Sequence, residues 1–414
     1  MATSRLDGDA RLPELRLRAF TEEDRDLADG HDDPDYVLEL RDEPAGAEAL
    51  RLGFWKSQEG LAAFRSKHLV ELSHKRYVGA TFAAQADSVR RDRLREIMRA
   101  GHDLLGEALG DDGLARLNAA LGRLKDGAPL RVDNDLAGAG LLWGMLHPGP
   151  VPSESNVQPS GLLGYRFPLV WPLDGRDTAL APEDAAINVF LDGRGKRYGF
   201  VDDPSLASVQ RKTERRLLAG HGGAGFEPLH DIPLDGEGED EAGPGLEDEA
   251  ELVAYLTLHA RLLTHFACHG GSGSKGSGNG KYTLTVRRKR AVAAGSLRQA
   301  LVRHGRRTLD AASGAGSSFL FLNLCGSALD HPIPGRDAAS ALSGLRPEAL
   351  VGTMGAVCDS TAEETARRFY EAAFRSDRTV ADAYLHAIRR GLTETLNPAH
   401  LLFVLKGRPD VVIA

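Results

Sequence analysis

Cysteine, long apolar runs and a secretory leader are scarce or missing in this chain of 414 residues. Its three cysteines, Cys268, Cys325 and Cys358, are too few and too late in the chain to form a disulfide framework. The N-terminal segment lacks the apolar core of a secretory signal, and no stretch approaches the roughly 18 apolar residues of a membrane span. We therefore expect a globular protein of the reducing cytoplasm that does not contact membranes.

The chain also does not carry an excess of positive charge. The 51 Lys and Arg residues are outnumbered by 59 Asp and Glu residues, and the formal net charge is -8. Because phosphate binding requires a strongly basic domain, nucleic acid is not expected as a direct partner. The hydrophobic fraction of 42% is enough for one large core or two smaller ones.

Apolar runs rich in β-forming residues alternate with helical patterns, which predicts an α/β fold with a largely parallel sheet. Several of the later runs are apolar throughout, as expected for strands covered by helices on both faces. The predicted strands are residues 14–20, 36–40, 130–135, 186–192, 262–269, 319–325, 350–357 and 401–405. The predicted helices are residues 84–125, as one or two helices, 361–376 and 380–396, with Ala366, Phe369, Tyr370 and Phe374 at helical spacing.

Two segments depart from this alternation. Residues 231–251 hold ten carboxylates and no base, and residues 270–281 have the glycine-serine composition of a linker. A cluster of bases follows the second segment, but loose pairing with the acidic segment is the less favoured interpretation. Both segments are predicted to be solvated surface loops.

Two of the apolar strands end at residues with catalytic potential, LLTHFACHG at His269 and FLFLNLCGSA at Cys325. If the strands are parallel neighbours, their carboxyl ends meet at one edge of the sheet, roughly 5 Å apart. The imidazole would then take the thiol proton and later protonate a leaving amine. This pattern favours a Cys-His hydrolase, and it predicts that Cys325 is alkylated at pH 6.5 before Cys268 and Cys358, which we interpret as structural.

The same residues allow non-catalytic interpretations. Cys325 could be an inert core thiol, and His269 a surface or capping residue. A metal site formed by His265, Cys268 and His269 would lack a second ligand pair at zinc spacing. The glycines after Gly270 match G-x-G-x-x-G, but no helix follows them as a dinucleotide site requires. We expect neither a metal nor a cofactor.

The motifs HFACHG (265–270) and FLFLNLCGSA (319–328) resemble those of the CHAT family of caspase-like cysteine peptidases. Residues 349–389 are similar to a CHAT stretch with a Gly-Thr strand, a Val-x-Asp turn and a helix bearing Phe-Tyr. Residues 401–410 are similar to the family's closing strand and Gly-x-Pro turn. Four motifs in the correct order make the resemblance strong over residues 260–410.

The resemblance implies a caspase-like three-layer α/β sandwich with a largely parallel central sheet. Residues 1–175 would form a degenerate caspase-like or accessory half, packed against a catalytic half of residues 176–414. It also implies that His269 is the general base and Cys325 the nucleophile of a cysteine endopeptidase. The N–H groups of Gly270 and Cys325 would form the oxyanion hole.

Asp359 matches the Val-x-Asp position of the family. Its carboxylate would line the pocket for the residue before the cut bond and favour a basic side chain there. Equally open is a structural role, in which Asp359 caps a helix that starts near Thr361.

Members of this family are often latent and act in bacterial defence or programmed cell death. The resemblance therefore implies limited cuts in a protein substrate, such as a downstream effector, and an activating protein that acts in trans. One alternative is a catalytically silent CHAT-fold module that signals by binding. Another is a hydrolase or transferase that uses the same dyad on a small molecule.

Overall fold

The structure is a computed structural model, and it divides into two compact units. The first unit is drawn from Met1–Pro172, Asp177–Ala185 and Tyr384–Leu402, and the second from Leu173–Arg176, Ala186–Ala383 and Phe403–Ala414. The residues it describes are 12–28, 33–42, 49–73, 82–134, 141–152, 157–173, 198–202, 208–222, 226–228, 249–258, 260–272, 282–287, 290–308, 316–328, 337–345, 347–375 and 378–413. The boundary at residue 175 remains a prediction from the sequence.

The first unit contains a sheet with the strand order β3-β2-β1-β4-β5. Its strands are β1 (Glu14–Ala19), β2 (Tyr36–Arg41), β3 (Leu50–Phe54), β4 (Leu130–Asn134) and β5 (Leu169–Trp171). The pairs β1–β2 and β2–β3 are antiparallel, whereas β1–β4 and β4–β5 are parallel. In β1, Leu15 and Leu17 are fully buried, as the alternating pattern of that strand predicts.

The described helices of the first unit include a long one that covers the predicted segment 84–125. They are α1 (Gln58–Leu72), α2 (Asp87–Arg123) and the single turn α3 (Leu163–Arg166). Gly110 interrupts α2 with non-helical angles, φ 66° and ψ 173°. The segment therefore forms two helices joined at a kink, one of the two arrangements that its pattern predicts.

The second unit contains a larger sheet, with the order β14-β13-β12-β8-β6-β7. Its strands are β6 (Tyr198–Asp202), β7 (Phe226–Pro228), β8 (Ala260–Ala267), β12 (Gly316–Asn323), β13 (Ala349–Thr353) and β14 (Phe403–Gly407). All neighbouring pairs are parallel except β13–β14. The predicted α/β fold with a largely parallel sheet is confirmed.

A second, three-stranded sheet follows β8 directly. It consists of β9 (His269–Ser272), β10 (Tyr282–Arg287) and β11 (Arg290–Ala293), in the order β11-β10-β9, and both pairs are antiparallel. The single residue Cys268 separates β8 from β9. The predicted strand 262–269 is therefore two strands that belong to different sheets.

Helices cover both faces of the larger sheet. They are α4 (Ser208–Gly222), α5 (Glu249–Leu258), α6 (Ala294–Thr308), α7 (Ala338–Leu342) and α8 (Asp359–Ala373). The last helix, α9 (Val380–Arg390), begins in the second unit, and its residues from Tyr384 onward belong to the first. In β12, Phe319 stacks on Phe369 of α8 at 5.4 Å between ring centroids. The alternate residues Leu320 and Leu322 are also fully buried, so the strand is apolar on both faces, as its sequence predicts.

The remaining predicted strands and helices agree with the structure to different extents. Residues 14–19, 36–40, 130–134, 319–323 and 350–353 lie in strands, and 361–373 and 380–390 lie in helices. The last strand begins at Phe403, because residues 398–402 form a 3-10 helix. The predicted strand 186–192 lies outside the described residues, as do most of the acidic segment and of the glycine-serine segment. Among the described helices, none is both long and apolar enough to cross a membrane.

Phe321 of β12 is central to the core of the second unit. It is fully buried and contacts Phe369, Tyr370 and Phe403 at ring distances of 5.1–6.4 Å. We predict that Phe321→Ala lowers the free energy of unfolding by about 3–5 kcal/mol, because the cavity left between strand and helix cannot fully collapse. Chemical denaturation followed by far-UV circular dichroism measures this.

The matched control is Val302→Ala on α6, where the side chain is 37% exposed. It should change the free energy of unfolding by no more than about 0.5 kcal/mol. Equal losses for the two variants would contradict the assignment of Phe321 to the core.

Candidate active site

The pairing of β8 with β12 brings the two candidate catalytic residues to one end of the sheet. The strands are parallel neighbours, and the last registered pair is Asn323 opposite Ala267. Cys325 and His269 each follow two residues later along their chains. The predicted meeting of these two strand ends is therefore confirmed at the level of the backbone.

His269 is the first residue of β9, where its backbone pairs with Thr285 of β10. It thus belongs to the three-stranded sheet, not to the strand that precedes it. The imidazole lies outside the described part of the structure. Its role as general base stays a prediction.

Gly270, the next residue, lies against the Cys325 backbone. A β-carbon built on Gly270 would be 2.0 Å from Tyr282 Oη and 3.1 Å from the Cys325 carbonyl oxygen. No side chain fits at the first of these distances, so glycine is required here by close approach. The contact places the backbone after His269 directly beside the nucleophile candidate.

Cys325 begins a tight turn at the end of β12. Gly326 has a φ of 62°, a left-handed conformation that glycine adopts without steric cost. Its N–H donates to the Gly355 carbonyl at 2.9 Å. The glycine after the cysteine therefore shapes the turn, and its N–H is already engaged within the protein.

Ser327 and Thr353 fasten this turn to the end of β13. The Ser327 hydroxyl donates to the Leu322 carbonyl at 3.1 Å and accepts the Thr353 N–H at 2.8 Å. The Thr353 hydroxyl donates to the Leu324 carbonyl. Both hydroxyls are buried and serve the backbone, so Ser327, which flanks the nucleophile in sequence, has a structural role.

The described surroundings of the Cys325 thiol favour its neutral form. The thiol is half-buried and donates to the Val357 carbonyl at 3.6 Å. Burial is the main cause that raises the pKa of Cys325, and the neighbouring groups Asp359 and Cys358 raise it further, although the Val357 contact acts in the opposite direction. These causes run against early alkylation of Cys325 at pH 6.5, which stays a prediction because the His269 imidazole is not among the described groups.

Asp359 is the first residue of α8, and Cys358 is the N-cap. The helix therefore starts two residues before Thr361, and the interpretation of Asp359 as its cap is wrong. Asp359 lies in the first turn of the helix, where a carboxylate interacts favourably with the positive end of the helix dipole. The Asp359 side chain is exposed, and it lies close enough to Cys325 to raise the pKa of the thiol. Its carboxylate is therefore accessible to a ligand at the candidate site.

A buried polar cluster lies beneath the site, where α4 and α8 pack on the sheet. Glu214 of α4 accepts a hydrogen bond from Asn323 Nδ2 at 2.6 Å and lies 2.8 Å from His265 Nε2. His265 Nδ1 lies 2.7 Å from the Tyr370 hydroxyl, whose pKa is raised well above its usual range by burial. The geometry fits Tyr370 as donor to Nδ1 and Nε2–H as donor to the carboxylate. Every member therefore has a partner, as buried polar groups require.

The environment of His265 is that of a core residue. Its ring stacks between Phe200 and Phe321, with centroids 5.3 and 5.2 Å away. Because both ring nitrogens have protein partners, His265 is not available to the metal site considered with Cys268. Cys268 is buried beside the Val201 carbonyl. Among the residues that the structure describes, no group of three or more His, Cys, Asp or Glu could hold a metal ion.

Sequence reasoning missed most of the residues that support the site. Tyr370 was predicted only as part of an apolar helix face, and Thr353 and Tyr282 had no signal. The sequence held a weak signal for Glu214, since this residue lies one turn before the buried Leu218 on the same face of α4. A charged residue at such a position is more often solvated, so the pattern alone would not have identified it.

Comparison with known proteins gives structural neighbours only. No protein-family model and no curated protein matches this chain. Three solved structures are similar, each with 10% sequence identity: the complex of the pro- and mature domains of Porphyromonas gingivalis RgpB, the Arg-specific cysteine proteinase gingipain R (RGPB), and the Saccharomyces cerevisiae separase–securin complex. Their TM-scores are 0.45, 0.42 and 0.47. The alignments cover 73%, 73% and 96% of this chain, and 70%, 68% and 30% of those chains.

The raised pKa of Cys325 predicts how the rate of its alkylation depends on pH. Because alkylation requires the thiolate and the pKa of Cys325 is raised, its reaction with iodoacetamide should be slow at pH 7. The midpoint of its rate–pH profile should lie above that of a short peptide containing the same cysteine. Peptide mass spectrometry of the alkylated protein resolves Cys325 from the other two cysteines. A midpoint below that of the peptide would show instead a preformed thiolate.

Proposed function

We propose that this protein is a caspase-like cysteine endopeptidase that makes limited cuts in a protein substrate. The observation that carries the proposal is the parallel pairing of β8 with β12, whose last registered pair lies two residues before His269 on one strand and two residues before Cys325 on the other. Ligands and reactive groups of parallel sheets lie outside the carboxyl ends of the strands. The resemblance of the same two motifs to those of the CHAT family supports the assignment.

In the proposed reaction, His269 takes the proton of the Cys325 thiol, and the sulfur attacks the carbonyl carbon of the substrate peptide bond. The N–H groups of Gly270 and Cys325 stabilise the oxyanion of the tetrahedral intermediate. His269 then gives its proton to the leaving amine, the C–N bond breaks, and water hydrolyses the thioester to regenerate the thiol. The close approach of Gly270 to the Cys325 carbonyl supports placing both N–H groups at one site.

A resting enzyme whose neutral thiol faces a backbone carbonyl would be latent until His269 is placed to take the thiol proton. The raised pKa of Cys325 and its contact with the Val357 carbonyl support this state. A protein partner that acts in trans would then shift the site towards the active geometry. We propose bacterial defence or programmed cell death as the setting, with a cytoplasmic location, a downstream effector as substrate and no direct role for nucleic acid or membranes. These statements rest on the CHAT resemblance.

Asp359 is proposed to favour a basic residue before the cut bond. Its carboxylate is exposed, and its charge reaches the thiol of Cys325. A guanidinium or ammonium group of the substrate would pair with it and, by neutralising its charge, remove one of the causes that raise the pKa of that thiol.

The proposal predicts which cysteine is essential. Wild type, Cys325→Ala and Cys358→Ala are incubated with a complex peptide library, and new peptide ends are identified by mass spectrometry. We expect identical cuts by wild type and Cys358→Ala and none by Cys325→Ala, because Cys325 follows β12, which pairs with the strand β8 that leads to His269, whereas Cys358 follows β13, which does not pair with β8. Cys358 is a matched control as a second half-buried cysteine near the site. Cutting by Cys325→Ala would contradict the nucleophile, and binding of a partner without any cutting would favour the catalytically silent module.

A separate prediction concerns Asp359→Asn. We expect kcat/KM for peptides with Arg or Lys before the cut to fall roughly fivefold, the equivalent of about 1 kcal/mol for an exposed ion pair. The same variant should lower the pKa of Cys325, since a negative charge that favours the neutral thiol is removed. Steady-state kinetics and the alkylation profile measure the two effects. Glu363→Gln, which removes a charge about one turn later on α8, should change neither, and an equal effect of both variants would argue against a specific pocket.

A further inference from the structure

A single buried tyrosine connects the three-stranded sheet to the turn that carries Cys325. Tyr282, the first residue of β10, is 2% exposed, and its hydroxyl donates to the Cys325 carbonyl at 2.8 Å. Burial raises the pKa of Tyr282 far above its ordinary value, so the hydroxyl keeps its proton at any working pH. It is therefore a permanent hydrogen-bond donor to the backbone of the proposed nucleophile.

This contact completes a clamp on one peptide group. The carbonyl of Cys325 and the N–H of Gly326 belong to the same planar peptide. The carbonyl accepts from Tyr282, and the N–H donates to the Gly355 carbonyl at 2.9 Å. Because hydrogen bonds hold this peptide from both sides, rotation of its plane is restricted. The direction of the Cys325 side chain is restricted as a consequence.

The same hydroxyl also touches the other strand of the site. A β-carbon on Gly270 would lie 2.0 Å from Tyr282 Oη, so the tyrosine packs directly against the backbone next to His269. The strand of Tyr282 pairs with the strand of His269 and Gly270 in an antiparallel ladder. One side chain thus contacts both backbone segments that the proposed dyad requires.

We infer that Tyr282 is a positioning residue, which orients the Cys325 turn relative to the His269–Gly270 segment through its hydrogen bond to the Cys325 carbonyl. The catalytic part of this inference rests on the proposed function, in which Cys325 is the nucleophile. The hydroxyl does not touch the reacting sulfur, so its effect is transmitted by the backbone. Loss of the hydroxyl frees the peptide on one side while the aromatic ring keeps its place in the core.

The test compares Tyr282→Phe with Thr283→Val in the full-length protein. Thr283 is the next residue of β10, and its hydroxyl donates to the Gly271 carbonyl at 3.3 Å. Both variants therefore remove one hydrogen bond from a hydroxyl of β10 to a backbone carbonyl, but the acceptor is Cys325 in the first case and Gly271 of β9 in the second. Thermal unfolding establishes that both variants remain folded.

The first readout is alkylation of Cys325 above the midpoint of its pH profile, which needs no substrate. Because the released turn exposes the thiol, Tyr282→Phe should be alkylated about threefold faster than wild type, with the rate at Cys358 unchanged. Thr283→Val should match wild type at both cysteines. An unchanged rate at Cys325 in Tyr282→Phe would overturn the inference, whether or not the protein is a peptidase.

The second readout is turnover of a peptide cut by wild type. Misplacement of the nucleophile should lower kcat about tenfold or more in Tyr282→Phe and leave KM unchanged, because substrate binding does not involve the hydroxyl. Faster alkylation together with slower turnover is the expected combination. Faster alkylation with unchanged kcat would refute a positioning role in catalysis, and a wild type that cuts nothing would contradict the proposed function while the alkylation result still tests the clamp.

Discussion

The parallel pairing of β8 with β12 is the constraint on which the rest of the site depends. Hydrogen bonds between these strands run as far as Asn323 and Ala267, and the chain then leaves the sheet on both strands within two residues. A shift of register by one residue would turn every side chain of a strand to the opposite face of the sheet. It would also separate the Cys325 turn from Gly270, whose close approach requires this alignment.

The buried cluster around Glu214 holds that register from below the sheet. One carboxylate from α4 binds His265 of β8 and Asn323 of β12, and Tyr370 of α8 completes the set. A buried carboxylate is costly unless its partners are correctly placed, so few alternative alignments of the two strands satisfy it. The cluster therefore contributes more to the uniqueness of the arrangement than to its net stability.

At the carboxyl ends of β8 and β12, the site combines a tightly held backbone with a thiol whose surroundings favour the neutral form. The Cys325 peptide is fixed through Tyr282 and Gly355, while the thiol itself faces the Val357 carbonyl. Burial and the nearby negative charge of Asp359 both raise the pKa of the thiol. A thiol in such surroundings needs a base to take its proton before it can act as a nucleophile, which is the role proposed for His269.

The sequence by itself determined the α/β class, most strands of the large sheet and the two strand ends where chemistry is expected, because long apolar runs and glycines after His269 and Cys325 are local signals. It did not reveal β3 and β6, which are five residues long, or β5 and β7, which are three residues long and too short for any pattern. The break at Cys268 that sends β9 into a second sheet also has no local signal. Only the tertiary structure brought Glu214 and Tyr282 to the site and raised the pKa of the thiol. Contacts between residues about 40 to 110 positions apart, and the burial that they produce, arise only once the chain is packed.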